Sequence, residues 1–181
     1  MRRFLFTMVL LACEGSDADP PPPAAKQAVA EQDVGYDVRR LRPRDGEPLS
    51  AMFDRMRGDA VKEGKHVAVL FSADWCEPCR DLALELGNTH PASSIGSFRV
   101  LELVEEDWEG ATRIGEFNAL RRRWYAPIST YPVFLVLDEN GNKIEEMKEA
   151  IDRLQGAGIE PSLANWFADI AAGGGPKSSG A

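Results

Sequence analysis

Three short apolar runs decide which class of fold is open to this chain: HVAVLFS (66–72), FRVLELV (98–104) and VFLVLD (133–138). Each is rich in β-formers and bounded by polar or turn-forming residues, the pattern of a strand buried on both faces. Strands buried on both faces need helices to cover them, and helical spacing does stand between the runs. Leu49, Met52, Phe53, Met56 and Ala60 mark an amphipathic helix over 48–63, with Pro48 near its start. Cys79, Leu82, Ala83 and Leu86 lie on one face of a second helix, with Gly87 as its expected stop. A third is expected over 110–124, with Ile114, Phe117 and Trp124 inward, and Leu163, Trp166, Phe167 and Ile170 give a closing helix. YDVRRLRP (36–43) reads as a short edge strand, and ENGN (139–142) as a hairpin turn from which KIEEM returns antiparallel. The order β-α-β-α-β-α-β-β-α predicts an α/β fold. Its central sheet has four to five strands, largely parallel and made mixed by the terminal hairpin, with helices on both faces.

A length of 181 residues suits one domain with additions, and a net charge of −8 excludes the basic face that nucleic acid requires. No apolar run reaches the roughly 18 residues of a membrane span. The start, MRRFLFTMVLLAC, joins Arg2 and Arg3 to an apolar run from Phe4 to Ala12. That is the form of a secretory signal. Its end, LLAC, resembles the bacterial lipobox, which implies cleavage after residue 12 and lipidation of Cys13. Four consecutive prolines in DPPPPAA (19–25) favour a stiff extended spacer. The expected organisation is a signal over 1–12, an anchor and tether with a candidate edge strand over 13–47, a folded domain over 48–172 and a disordered tail over 173–181. The implied location is the bacterial cell envelope, facing the periplasm and lipid-anchored.

With Cys13 assigned to the anchor, Cys76 and Cys79 remain, in SADWCEPCRD (72–81). No second cysteine pair exists to complete a zinc site, and His66 and His90 are the only histidines, so no metal is expected. A purely structural disulfide would close so short a loop that it offers little entropic stabilisation. The pair is expected where a buried strand ends and a helix begins. There, free amide N–H groups and the helix dipole favour an anion, and the thiolate is the reactive form of cysteine. Cys76 is expected at the exposed end, with Cys79 one turn inside and more buried. Pro132 stands directly before a buried strand, the position a sheet tolerates.

Trp75-Cys76-Glu77-Pro78-Cys79 and Tyr131-Pro132 together resemble the active site and the cis-proline loop of the thioredoxin superfamily, over about 48–172. The resemblance implies a thioredoxin-like fold and a thiol–disulfide oxidoreductase without a cofactor. Cys76 would attack a partner protein's disulfide and Cys79 would resolve the intermediate. Trp75, Pro78, Tyr131 and a cis Pro132 would form the partner-binding surface, and a membrane thiol protein would return the electrons. A non-turnover adaptor or chaperone using the same groove is the alternative. Two positions depart from related patterns. Leu70 stands where thioredoxins commonly carry a buried aspartate, and Leu82 stands where the tethered reductases of cytochrome c maturation carry a glutamate. The proton acceptor for Cys79 is therefore open among Asp74, Glu77, Asp81 and Glu102. Asp74 and Glu77 oppose the Cys76 thiolate by like-charge repulsion, which points to a reductant. Trp75 is expected to shield the sulfurs, and Trp124, Trp166 and Phe167 to be core. Arg121 to Arg123 and the acidic run Glu105 to Asp107 are expected to be solvated.

Overall fold

The computed structural model describes residues 36–88, 96–124 and 130–176. Along them run β1 (Asp37–Arg40), α1 (Leu49–Lys62), β2 (His66–Ser72), α2 (Glu77–Asn88), β3 (Phe98–Val104), α3 (Glu105–Gly110), α4 (Ile114–Arg121), β4 (Val133–Leu137), β5 (Lys143–Glu146), α5 (Met147–Gly156) and α6 (Leu163–Ala171). The strands form one five-stranded sheet in the order β1-β3-β2-β4-β5. β3 is parallel to both β1 and β2, whereas β4 is antiparallel to β2 and β5 antiparallel to β4. This is the expected thioredoxin-like α/β architecture with a mixed sheet.

Strand alternation sorts the core into two layers. Ala68 and Leu70 of β2, Val100 of β3 and Phe134 and Val136 of β4 face α2, α5 and α6, where they meet Leu82, Leu86, Trp166 and Phe167. Val67, Val69 and Phe71 face the other way, with Leu101 and Leu103, onto Phe53, Trp108 and Phe117 of α1, α3 and α4. Phe98 and Phe167 stack at 4.0 Å between ring centres, so the closing helix is keyed to β3 by an aromatic pair. Trp166 and Phe167 are core as expected, while Trp124 is half-buried against Phe53 and donates its indole N–H to the Gly141 carbonyl at 2.8 Å.

Several expectations need correction. The sheet is less parallel than the alternation implied, because the chain enters β4 from the opposite end and antiparallel pairing starts one strand before the hairpin. The edge strand is shorter than expected, but it is a full member of the sheet, in register with Asp37 opposite Arg99. Gly87 does not stop α2, which continues to Asn88. The helix expected over 110–124 is shorter, α4 at Ile114–Arg121, and a separate helix, α3, precedes it, starting at the head of the acidic run. α5 is absent from the sequence reading. Its signals are a capping box between Glu146 and Glu149 and the buried pair Ala150 and Leu154.

Thr112 separates α3 from α4. Its φ is 58°, the left-handed conformation that closes a helix end, and Arg113 N–H reaches back to the Trp108 carbonyl at 2.7 Å. A β-branched residue is strained there, and this side chain is exposed, so it contributes no packing. Thr112→Gly is therefore expected to stabilise the domain by about 0.5–1 kcal/mol, the relief of left-handed strain less glycine's entropy cost. Denaturant melts of the two proteins check it; a variant less stable than wild type contradicts the strain argument.

Candidate functional site

β2 ends at Ser72, and four residues separate it from the start of α2 at Glu77. Cys76 closes that turn, its N–H donating to the Ala73 carbonyl at 3.1 Å while its own carbonyl accepts from Arg80 N–H at 3.3 Å. It thus occupies the capping position of α2. Its sulfur accepts the Cys79 N–H at 3.2 Å, the bond that a serine or aspartate oxygen makes at an ordinary helix start. Pro78 falls in the first turn, where an amide N–H would have no helical partner anyway. Cys76 and Cys79 are joined as a disulfide with a Cα–Cα distance of 5.2 Å.

Two side chains grip the loop before the pair. Arg80 donates to the Asp74 carbonyl at 3.1 Å, and the Glu106 carboxylate accepts the Asp74 N–H at 3.0 Å. Across the site the Tyr131–Pro132 peptide is cis, as expected. Tyr131 packs on the small cluster of Ala73, Cys76 and Cys79.

Both cysteines are buried, 4% and 5% exposed, so Cys76 is not the more accessible of the two in the disulfide form. Trp75 was expected to shield the sulfurs, yet it is 65% exposed, with Tyr131's ring meeting its own edge-to-face at 5.6 Å. Asp74, Glu77, Pro78 and Asp81 are exposed around it. The surface beside the pair is therefore an upstanding indole on a mostly acidic rim. Cys13 lies outside the described residues, as does His90. His66 stacks on Phe98 at 4.9 Å.

The four candidate proton acceptors separate by burial. Asp74, Glu77 and Asp81 are exposed, whereas Glu102 is half-buried near the end of β3. Glu102 is in register with Leu70 on one side and Arg40 on the other. Residues in register share a face, so its carboxyl lies on the α2 side of the sheet, beside the position left apolar by Leu70. β2 and β3 run parallel, so Glu102 sits at the same end of the sheet as the start of α2, where Cys79 heads the buried row of Leu82 and Leu86. Burial pushes its carboxyl above the ordinary range; Asp107 and Asp74 add to this, and Arg40 and Arg42 oppose it.

The acidic run is not a solvated surface. Glu105, Glu106 and Asp107 are half-buried; besides Glu106's bond to Asp74, Asp107 pairs with Arg40 at 2.7 Å. Nor is Arg121 on a solvated face. It is fully buried, one turn beyond Phe117 on the inward side of α4, while Arg122 and Arg123 are exposed as expected. Glu106 and Arg121 are the site residues the sequence reading missed. For Arg121 the available signal was its phase, four residues after Phe117 and one after Leu120; for Glu106 only proximity in space reveals it.

No protein-family model matches the chain, and no curated protein matches it. Solved structures with a similar fold include a disulphide isomerase from Xylella fastidiosa Temecula1, 17% identical over 72% of this chain and 97% of that one, with a TM-score of 0.49. A poplar wild-type thioredoxin h is 21% identical over 67% and 96%, with a TM-score of 0.40. The C-terminal domain of Neisseria meningitidis DsbD in the oxidised form is 20% identical over 54% and 80%, with a TM-score of 0.39. Likeness at this level concerns chain path and not chemistry.

The raised carboxyl of Glu102 has a stability consequence. The folded state holds its proton to a higher pH than the unfolded chain does, so stability is lost as pH rises through that interval. Glu102→Gln is expected to be more stable than wild type at pH 7, with the difference disappearing below about pH 4, where both states are protonated. Urea melts at the two pH values measure this; an unchanged or lower stability at pH 7 counts against a desolvated carboxylate.

Proposed function

We propose that the chain is a thiol–disulfide oxidoreductase that reduces disulfides in partner proteins through Cys76 and Cys79. The observation that carries the reading is the Cys79 N–H held on the Cys76 sulfur at the start of α2. In the dithiol state the same amide and the helix dipole favour a Cys76 thiolate. That thiolate attacks one sulfur of a partner disulfide, and the other partner sulfur leaves as a thiolate. Cys79 then gives up its proton and attacks the Cys76 sulfur. The partner's second thiolate departs, two electrons have passed to the partner, and the Cys76–Cys79 disulfide remains. Glu102 is the group best placed to take the Cys79 proton, being the half-buried acid on the α2 face. Burial raises its affinity for a proton, which makes it a stronger base than an exposed carboxylate.

Trp75, Pro78, Tyr131 and Pro132 form the partner-binding surface in this reading. A membrane dithiol donor re-reduces the protein, and Cys13 anchors it in the bacterial envelope. The basic start, the short apolar run and the LLAC sequence support that location. Asp74 and Glu77 beside Cys76 oppose the thiolate and so favour the disulfide form, the balance of a reductant.

Insulin reduction by the folded domain with dithiothreitol as electron source tests the reading. Wild type should turn over, Cys76→Ser should lose all activity, and Cys79→Ser should accumulate a mixed disulfide on Cys76. Binding of unfolded protein without turnover would make it an adaptor instead. Equilibration against dithiothreitol buffers should place the reduction potential nearer about −270 mV than about −120 mV. A value above about −180 mV would make the protein an oxidase or isomerase.

A further inference from the structure

Arg121 is an unusual residue to find where it is. It is fully buried, and its guanidinium lies 4.4 Å from the centre of the Tyr131 ring and 5.9 Å from that of Phe71. One Nη donates to the Thr130 carbonyl, while Nε and the other Nη have no hydrogen-bond partner among the described residues. No carboxylate forms an ion pair with it among those residues. A cation taken out of water without a paired anion is costly, and here most of its surroundings are aromatic rings. Its field is correspondingly weakly screened.

The Tyr131 side chain also packs on Ala73, Cys76 and Cys79. One residue therefore touches both a buried positive charge and the sulfur pair. From the oxidoreductase reading above, we infer that Arg121 is a positioning residue that supplies a thiolate-stabilising charge to Cys76 through the Tyr131 ring and holds the Thr130–Tyr131 segment against the pair. Apart from Arg80, which holds the Asp74 carbonyl, the charges facing this group are negative. Glu105 of α3 lies near the Tyr131 hydroxyl, Glu106 holds Asp74, and Asp74 and Glu77 flank Cys76. Arg121 offsets them from the buried side, where a charge acts more strongly than on the exposed rim. It adds to the Cys79 N–H and the helix N-terminus in favouring the Cys76 thiolate against the acidic rim.

The ultraviolet absorbance of the thiolate, titrated in the reduced domain, reads the effect directly. In wild type the Cys76 thiol is expected below the ordinary value of about 8.5. Arg121→Gln should raise it by about one unit, a tenfold fall in thiolate fraction. Arg121→Lys should restore most of the shift, because it keeps the charge while losing the planar stack and the fork. Cys76 alkylation at pH 7 should slow in Gln and recover in Lys. An unshifted thiol in a folded Gln variant overturns the inference, and so does a Lys variant shifted as far as Gln. Should the Gln variant fail to fold, a wild-type Cys76 pKa at or above about 8.5 overturns it alone. Insulin turnover by wild type is decided separately, so loss of this inference and loss of the oxidoreductase reading are told apart.

Discussion

β2 is the strand on which the rest depends. It is paired on both edges, parallel to β3 and antiparallel to β4, and covered on both faces, so from Val67 to Ser72 every residue is buried. Each large apolar side chain so buried contributes about 1.5–3 kcal/mol. A strand held this way cannot slip, because a shift by one residue would turn Val67, Val69 and Phe71 toward the wrong helices. Its C-terminal end is therefore a fixed point, and the four residues that follow deliver Cys76 to the start of α2. The chemistry of the pair depends on that delivery, since one amide N–H caps the sulfur only if strand end and helix start stand in this relation.

Around that point the electrostatics are divided between two sides. The outer side is acidic and exposed, with Asp74, Glu77 and Asp81 in water where their influence is screened. The inner side holds two titratable groups that water reaches poorly, Glu102 on the α2 face of the sheet and Arg121 behind Tyr131. Burial makes the first resist ionisation. A half-buried acid on β3 and a buried cation on α4 are a different arrangement from a single buried acid on the central strand. Leu70 makes room for it by leaving the β2 position apolar.

Much of this was legible in residue order alone. The three apolar runs are strands, the WCEPC segment starts a helix, and the bond before Pro132 is cis. The errors share a cause. Thr112 was read through, because a left-handed turn at a non-glycine residue has no local signature. The charge of Arg121 and of the run Glu105 to Asp107 suggests a solvated surface, but α4 points Arg121 inward and α3 folds the acids back toward the Cys76 loop. α5 was passed over because its capping box follows a hairpin strand without a break.

The sequence by itself determined the class of fold, the presence of the cysteine pair and its place at a strand-to-helix junction. These follow from local periodicity and from the two-residue spacing of the cysteines, which are properties of neighbours along the chain. Tertiary structure alone decided which acid and which cation share this end of the fold with the pair. Strand register brings Glu102 to the end of the sheet where α2 starts, and helix phase turns Arg121 onto Tyr131, which packs on the pair. Electrostatic influence depends on distance and on exclusion of water, and both are set when the layers pack and not before.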